Sequence, residues 1–119
     1  MDNKEFAKDL ERRTKTFAVR VLKLSAQLPN TQEAKVIRNQ FSKSGTSVGA
    51  NYREANRSRS KPDFVNKIRI SETEASETVY WLEIIQEMEW ITDSKLIEII
   101  KEANELLAIF TSISKNLKS

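Results

Sequence analysis

The chain contains no cysteine and no histidine, and it has only two glycines and two prolines among 119 residues. Without cysteine it can form no disulfide, no thiolate metal site and no cysteine nucleophile. Without histidine it lacks the commonest general base and the commonest metal ligand. Because a β-rich protein of this length needs many turns, so few glycines and prolines favour a few long helices.

Long apolar runs are also missing, since none approaches the roughly 20 residues that a membrane-spanning helix requires. The sequence begins with MDNKEFAKDLERR, which is charged and lacks the apolar core of a signal peptide. We therefore expect a cytoplasmic protein without a membrane partner. An apolar content of 39% is sufficient for one hydrophobic core, so we expect a single domain over residues 1–119.

Apolar residues recur at helical spacing in four segments. Pro29 disfavours continuation of the first helix, and Asn30 or Thr31 can cap the second. Ser60 is placed to cap the third, with Pro62 in its first turn. Four amphipathic helices with short connections predict an all-α, antiparallel up-down-up-down four-helix bundle. The predicted helices cover residues 3–28, 32–57, 62–89 and 93–117.

Both glycines lie inside the second helical segment, with Gly45 on its apolar face and Gly49 on the flank of that face. A glycine in mid-helix costs about 1 kcal/mol relative to alanine, so some packing gain should offset it. A phosphate loop needs a turn and a lysine at fixed spacing, and GTSVGANYRE has neither. We therefore favour close helix packing over Ser42, Gly45 and Gly49 rather than a ligand loop.

The third and fourth helices carry wider apolar sectors than a monomeric bundle needs. An apolar stripe of about 100° suffices to face a core, yet the third helix has a second stripe about a quarter-turn from the first. Surplus apolar surface usually contacts another subunit, here with some of the fourth helix included. The predicted oligomer interface consists of Ile70, Trp81, Ile84, Ile85 and Met88.

Charge is distributed unevenly along the chain. Residues 72–89 hold six glutamates and no basic residue, whereas residues 53–69 hold six basic and two acidic residues. Cations at the end of the second helix stabilise its dipole, but four lie there and exceed what one helix end needs, and two more continue the patch onto the third helix. In an oligomer this basic cluster would occur once in each subunit, and together the copies would give many weak contacts to phosphate. The candidate nucleic-acid-binding residues are Arg53, Arg57, Arg59, Lys61, Lys67 and Arg69.

Five polar residues of the second and third helices are candidates for a network between the helices: Asn51, Glu54, Arg69, Glu74 and Glu77. Inward glutamates in a four-helix bundle suggest a di-iron site, but such sites use a Glu-x-x-His motif. Because the chain has no histidine, we interpret these residues as a structural network and expect neither a metal nor a cofactor.

Three short patterns match catalytic motifs. Residues 45–49 fit Gly-x-Ser-x-Gly, but that motif needs a strand-to-helix turn and a histidine partner. Residues 58–61 and 112–115 fit Ser-x-x-Lys, without the companion motifs of that class. We interpret all three as coincidences, and we expect the protein not to be an enzyme.

The hairpin of the second and third helices resembles a known family through SGTSVGANYREA (residues 44–55) and DFVNKIRISETEASETVYWLEII (residues 63–85). The sequence is similar to bacterial four-helix-bundle proteins encoded within intervening sequences of 23S ribosomal RNA genes. It also resembles the accessory variability determinant proteins of diversity-generating retroelements. The first and fourth helices match only as amphipathic patterns.

This resemblance implies a bundle that assembles into a homopentameric ring, and it implies no reaction. We therefore expect a non-enzymatic oligomeric scaffold or adaptor. The retroelement relatives imply an alternative, a nucleic-acid-binding accessory protein that contacts RNA or DNA and partners a reverse transcriptase. The moderate net charge of +3 and the acidic third helix depart from those basic relatives.

Overall fold

The computed structural model describes residues 2–117, which form four α-helices joined by short connections. Helix α1 spans Asn3–Ser25, α2 spans Gln32–Asn56, α3 spans Lys61–Glu87 and α4 spans Asp93–Asn116. No strand occurs within these described residues. The predicted all-α class is therefore confirmed, and the helices pack as a compact four-helix bundle.

The first helix ends three residues before the predicted Leu28. Beyond Ser25 the backbone forms a turn, in which the amide of Leu28 donates to the carbonyl of Ser25. The guanidinium of Arg38 in α2 then donates to the carbonyls of Ser25, Leu28 and Pro29 at 3.1, 2.8 and 3.0 Å. Arg38 therefore joins α2 to the last residue of α1 and to the turn that follows it.

Capping side chains define where α2 and α3 begin. The hydroxyl of Thr31 accepts from the amide of Ala34, and that of Ser60 accepts from the amide of Asp63. The third helix ends at Glu87 because Glu89 adopts a left-handed backbone conformation with φ of 57°. A residue in this conformation commonly stops a helix just past its last turn.

The core lies along the axis of the bundle. One phenylalanine from each of three helices is buried there, namely Phe17, Phe41 and Phe110. Helix α3 contributes Ile68, Leu82 and Ile85 instead. Burial of each such side chain stabilises the fold by roughly 1.5–3 kcal/mol.

Consecutive helices pack against each other, and α1 also meets α4 along a shorter contact. Contacts between α1 and α2 show that residue numbers increase in opposite directions along the two helices. Ser25, at the end of α1, contacts Ser42 of α2, whereas Glu11, nearer the start of α1, contacts Asn56 at the end of α2. Across α1 and α4, Arg13 donates to both carboxylate oxygens of Glu102 at 2.9 and 2.7 Å. This paired geometry is the strongest form of a side-chain ion pair.

Candidate functional site

The two glycines lie where α2 crosses α1. A Cβ atom at Gly45 would lie 2.7 Å from both γ-methyl carbons of Val21, and one at Gly49 would lie 2.9 Å from the hydroxyl of Thr14. The hydroxyl of Ser42, in the same contact, donates to that of Ser25 at 3.1 Å. The structure therefore agrees with the packing hypothesis and identifies α1 as the helix that approaches.

Hydroxyl groups connect α2 to α3 inside the bundle. Thr78 donates to the hydroxyl of Ser44 at 2.8 Å, and Ser71 donates to the carbonyl of Val48 at 2.9 Å. All three hydroxyl-bearing residues are buried, and each is satisfied. The sequence places them on inward faces, but their pairing becomes visible only in the structure.

The predicted polar network is only partly assembled. The carboxylate of Glu54 lies 3.5 Å from the ammonium of Lys67, not next to Arg69 as expected. Asn51 donates to the carbonyl of Ser47 in its own helix, and Arg69 is exposed. Glu54 thus reaches across from α2 to α3, but its partner there is Lys67, which the predicted network did not include.

Glu74 and Glu77 lie close together on α3. Burial raises the pKa of the Glu74 carboxyl, and the neighbouring Glu77 raises it further. The hydroxyl of Ser47 and the ammonium of Lys43, both on α2, lower the same pKa. Glu74 therefore faces α2, and its proton is held more firmly than that of an exposed glutamate.

The six basic candidates fall into two groups. Arg53 lies 3.6 Å from the carboxylate of Glu11, and Lys67 is paired with Glu54. The other four are exposed and form no ion pair within residues 2–117: Arg57, Arg59, Lys61 and Arg69. Three of these four lie in or beside the turn between α2 and α3, so this end of the bundle carries three cations without an ion-pair partner.

The predicted oligomer interface is corrected at Ile85. This side chain is 0% exposed and belongs to the core of the single chain, so it cannot reach another subunit. Its neighbour Ile84 points about 100° away around the helix and is partly exposed, as is Ile70. Met88 is 50% exposed.

Two aromatic residues complete this part of α3. Trp81 packs against the core, and its indole Nε1 is enclosed without a hydrogen-bond partner among the described residues. Tyr80, which the sequence analysis did not single out, is 55% exposed and contacts Trp81 edge-on with ring centroids 5.1 Å apart. Its position four residues before Ile84 is the signal that could have identified it.

We use the name outer stripe for the residues of α3, together with its C-cap residue Met88, that share this outward direction. They lie at spacings of three, four and seven residues, which places them on one face of a helix. The outer stripe consists of Ile70, Glu77, Tyr80, Ile84 and Met88.

A groove lies between α1 and α2. Small side chains and a glycine form its floor, and the charged residues Glu11, Lys15, Arg53 and Glu54 complete its lining. The floor residues are Thr14, Ala18, Thr46, Gly49 and Ala50. Sequence reasoning missed this groove because its two walls come from different helices.

Two further properties concern residues 2–117, the part of the chain that the structure describes. No helix in this range is long and apolar enough to cross a membrane. No group of three or more acidic side chains in the same range is arranged to hold a metal ion.

Known proteins similar to this chain are found among family models and among solved structures. The family model described as 23S rRNA-intervening sequence protein matches residues 8–112. The chain is also similar to a crystal structure from Bacteroides thetaiotaomicron, described as a protein of unknown function from the S23 ribosomal protein family. The TM-score is 0.81 at 40% identity, over 88% of this chain and 97% of that one. No curated protein matches significantly. The chain therefore belongs to the 23S rRNA-intervening sequence protein family.

Proposed function

We propose that this protein is a non-enzymatic, homo-oligomeric scaffold or adaptor that acts in the cytoplasm. The proposal rests on the outer stripe of α3. This helix already buries a separate stripe of residues in the core of its own bundle. Tyr80 and Met88 are nevertheless half exposed on its other side. Apolar surface of this kind, rimmed by charge, is typical of a contact with another protein.

The proposed assembly is a ring of five bundles, each with its helices running up-down-up-down. The opposed pairing of α1 with α2 supports this topology, as do the bonds from Ser71 to Val48 and from Thr78 to Ser44. The family resemblance supports the number five. In such a ring each subunit uses two different surfaces, because head-to-tail contacts close by rotation.

Light scattering coupled to size-exclusion chromatography tests this proposal. We expect the wild-type protein to have five times the 13.7 kDa mass of one chain. Replacing two residues of the outer stripe in Ile84→Glu/Met88→Glu should yield a monomer, because charge would be buried in the contact. The matched control is Gln40→Glu/Gln86→Glu, at two exposed polar positions. A monomeric wild type, or an unchanged mass for the stripe variant, would contradict the proposal.

A second candidate function is binding of RNA or DNA, as an accessory protein that could partner a reverse transcriptase. The observation that favours it is the concentration of exposed cations at the turn between α2 and α3. Phosphate contacts release counterions, so affinity should fall steeply with salt. Little base preference is expected, because contacts to phosphate carry no direct sequence information.

Gel-shift titrations at two salt concentrations test this second candidate. The variant Arg57→Ser/Arg59→Ser/Lys61→Ser should lose binding to structured RNA and duplex DNA while keeping its oligomer mass. The control Lys23→Ser/Lys35→Ser/Lys101→Ser removes the same charge from exposed positions elsewhere. Equal loss in both variants would indicate a general charge effect, and an unchanged affinity in the first would exclude this end of the bundle.

A further inference from the structure

We propose that the groove between α1 and α2 is the second assembly surface, and that the outer stripe of a second copy of this chain occupies it. This inference rests on the proposed oligomeric function and specifies its contact. The contact would pair two different surfaces of the same chain, as a ring requires.

The shapes of the two surfaces are complementary. The groove floor contains no side chain larger than threonine, and Ala18, Gly49 and Ala50 are among its residues. Small side chains let another helix approach closely, and the large side chains of a helix form ridges that fit such grooves. The outer stripe is a ridge of this kind, because Tyr80, Ile84 and Met88 project from one face of α3.

The charges of the two surfaces are also complementary. At the groove edges Glu11 is paired with Arg53, and Glu54 is paired with Lys67. Lys15 is exposed at the same edge and forms no ion pair within residues 2–117. Glu77, within the outer stripe, likewise has no ion-pair partner in that range. If the outer stripe of one copy lies in the groove of another, the positive charge of Lys15 and the negative charge of Glu77 enter the same contact. Opposite charges of this kind favour the correct pairing of surfaces.

The first experiment fills the groove. Ala50 is exposed, so Ala50→Trp should leave the folded chain intact but occupy the space that the stripe needs. We expect light scattering to show a monomer, with a circular dichroism spectrum like that of the wild type. The matched control is Ala108→Trp, the same substitution at an exposed position of α4, which should keep the wild-type mass. If Ala50→Trp folds poorly, Ala50→Glu replaces it.

The second experiment mixes two monomeric variants. The Ala50→Trp variant keeps an intact outer stripe, and the Ile84→Glu/Met88→Glu variant keeps an open groove. One contact can therefore form, between the stripe of the first variant and the groove of the second. At tens of micromolar we expect a one-to-one dimer, with twice the mass of one chain, and neither variant should form a dimer alone. A single self-complementary surface could not give this result.

The outcomes separate the two proposals. A monomeric wild type overturns the oligomeric function itself. An oligomeric wild type whose mass is unchanged by Ala50→Trp overturns only the groove, as does a mixture of the two variants that stays monomeric.

Discussion

Gly45→Ala is expected to destabilise the folded chain by about 1–3 kcal/mol, although alanine is the better helix former. The added Cβ would lie 2.7 Å from both γ-methyl carbons of Val21 and 3.0 Å from its Cβ. Rotation of the valine cannot relieve the clash, because both methyl groups are involved. The two helices must therefore separate, which loosens packing along the contact of α1 with α2. Urea denaturation measures the loss.

A double-mutant cycle distinguishes this clash from other causes. Val21→Ala removes both methyl groups and is destabilising by itself, since Val21 is completely buried. In that background Gly45→Ala should cost little or become stabilising, because the space is free and the helix propensity is gained. An increase in melting temperature for Gly45→Ala alone would mean that α1 is not held closely against α2.

Ile85→Ala is expected to cost about 2–5 kcal/mol of folding stability, whereas Ile84→Ala should mainly weaken assembly. The two isoleucines are adjacent, but Ile85 is 0% exposed in the core and Ile84 lies in the outer stripe. The same substitution at neighbouring positions therefore separates the two roles. Ile84 is partly buried, so a smaller loss of stability is expected there as well.

The measurement combines urea denaturation with light scattering over a range of protein concentrations. The loss caused by Ile85→Ala should not depend on concentration, because the contacts removed lie within one chain. The effect of Ile84→Ala should grow on dilution, since assembly stabilises the folded chain by mass action. Equal, concentration-independent losses for both variants would show that the outer stripe makes no subunit contact.

The difference between these isoleucines shows a limit of periodicity as a guide. Both belong to one apolar sector of the sequence, and the spacing alone assigned them to the same interface. Successive residues of a helix differ by about 100° in direction, so a modest rotation of α3 decides which of them enters the core. That rotation is set by the packing of α3 against α2 and α4.

Interactions between residues that are close together in the sequence determined the helices of this fold. Apolar spacing gave four helices, and the capping residues Thr31 and Ser60 determined where two of them begin. The scarcity of glycine drew attention to Gly45 and Gly49 as packing positions. Each of these features depends on residues within a few positions of one another, which is why it can be read from the chain itself.

Only the tertiary structure decided which surfaces meet. It identified α1 as the helix facing the glycines, paired Thr78 with Ser44, and placed Arg38 over carbonyls of the turn that follows α1. It also formed a groove from two separate helices and left Tyr80 exposed. These contacts join residues distant in sequence, and their geometry follows from how whole helices rotate and pack, which no local pattern encodes.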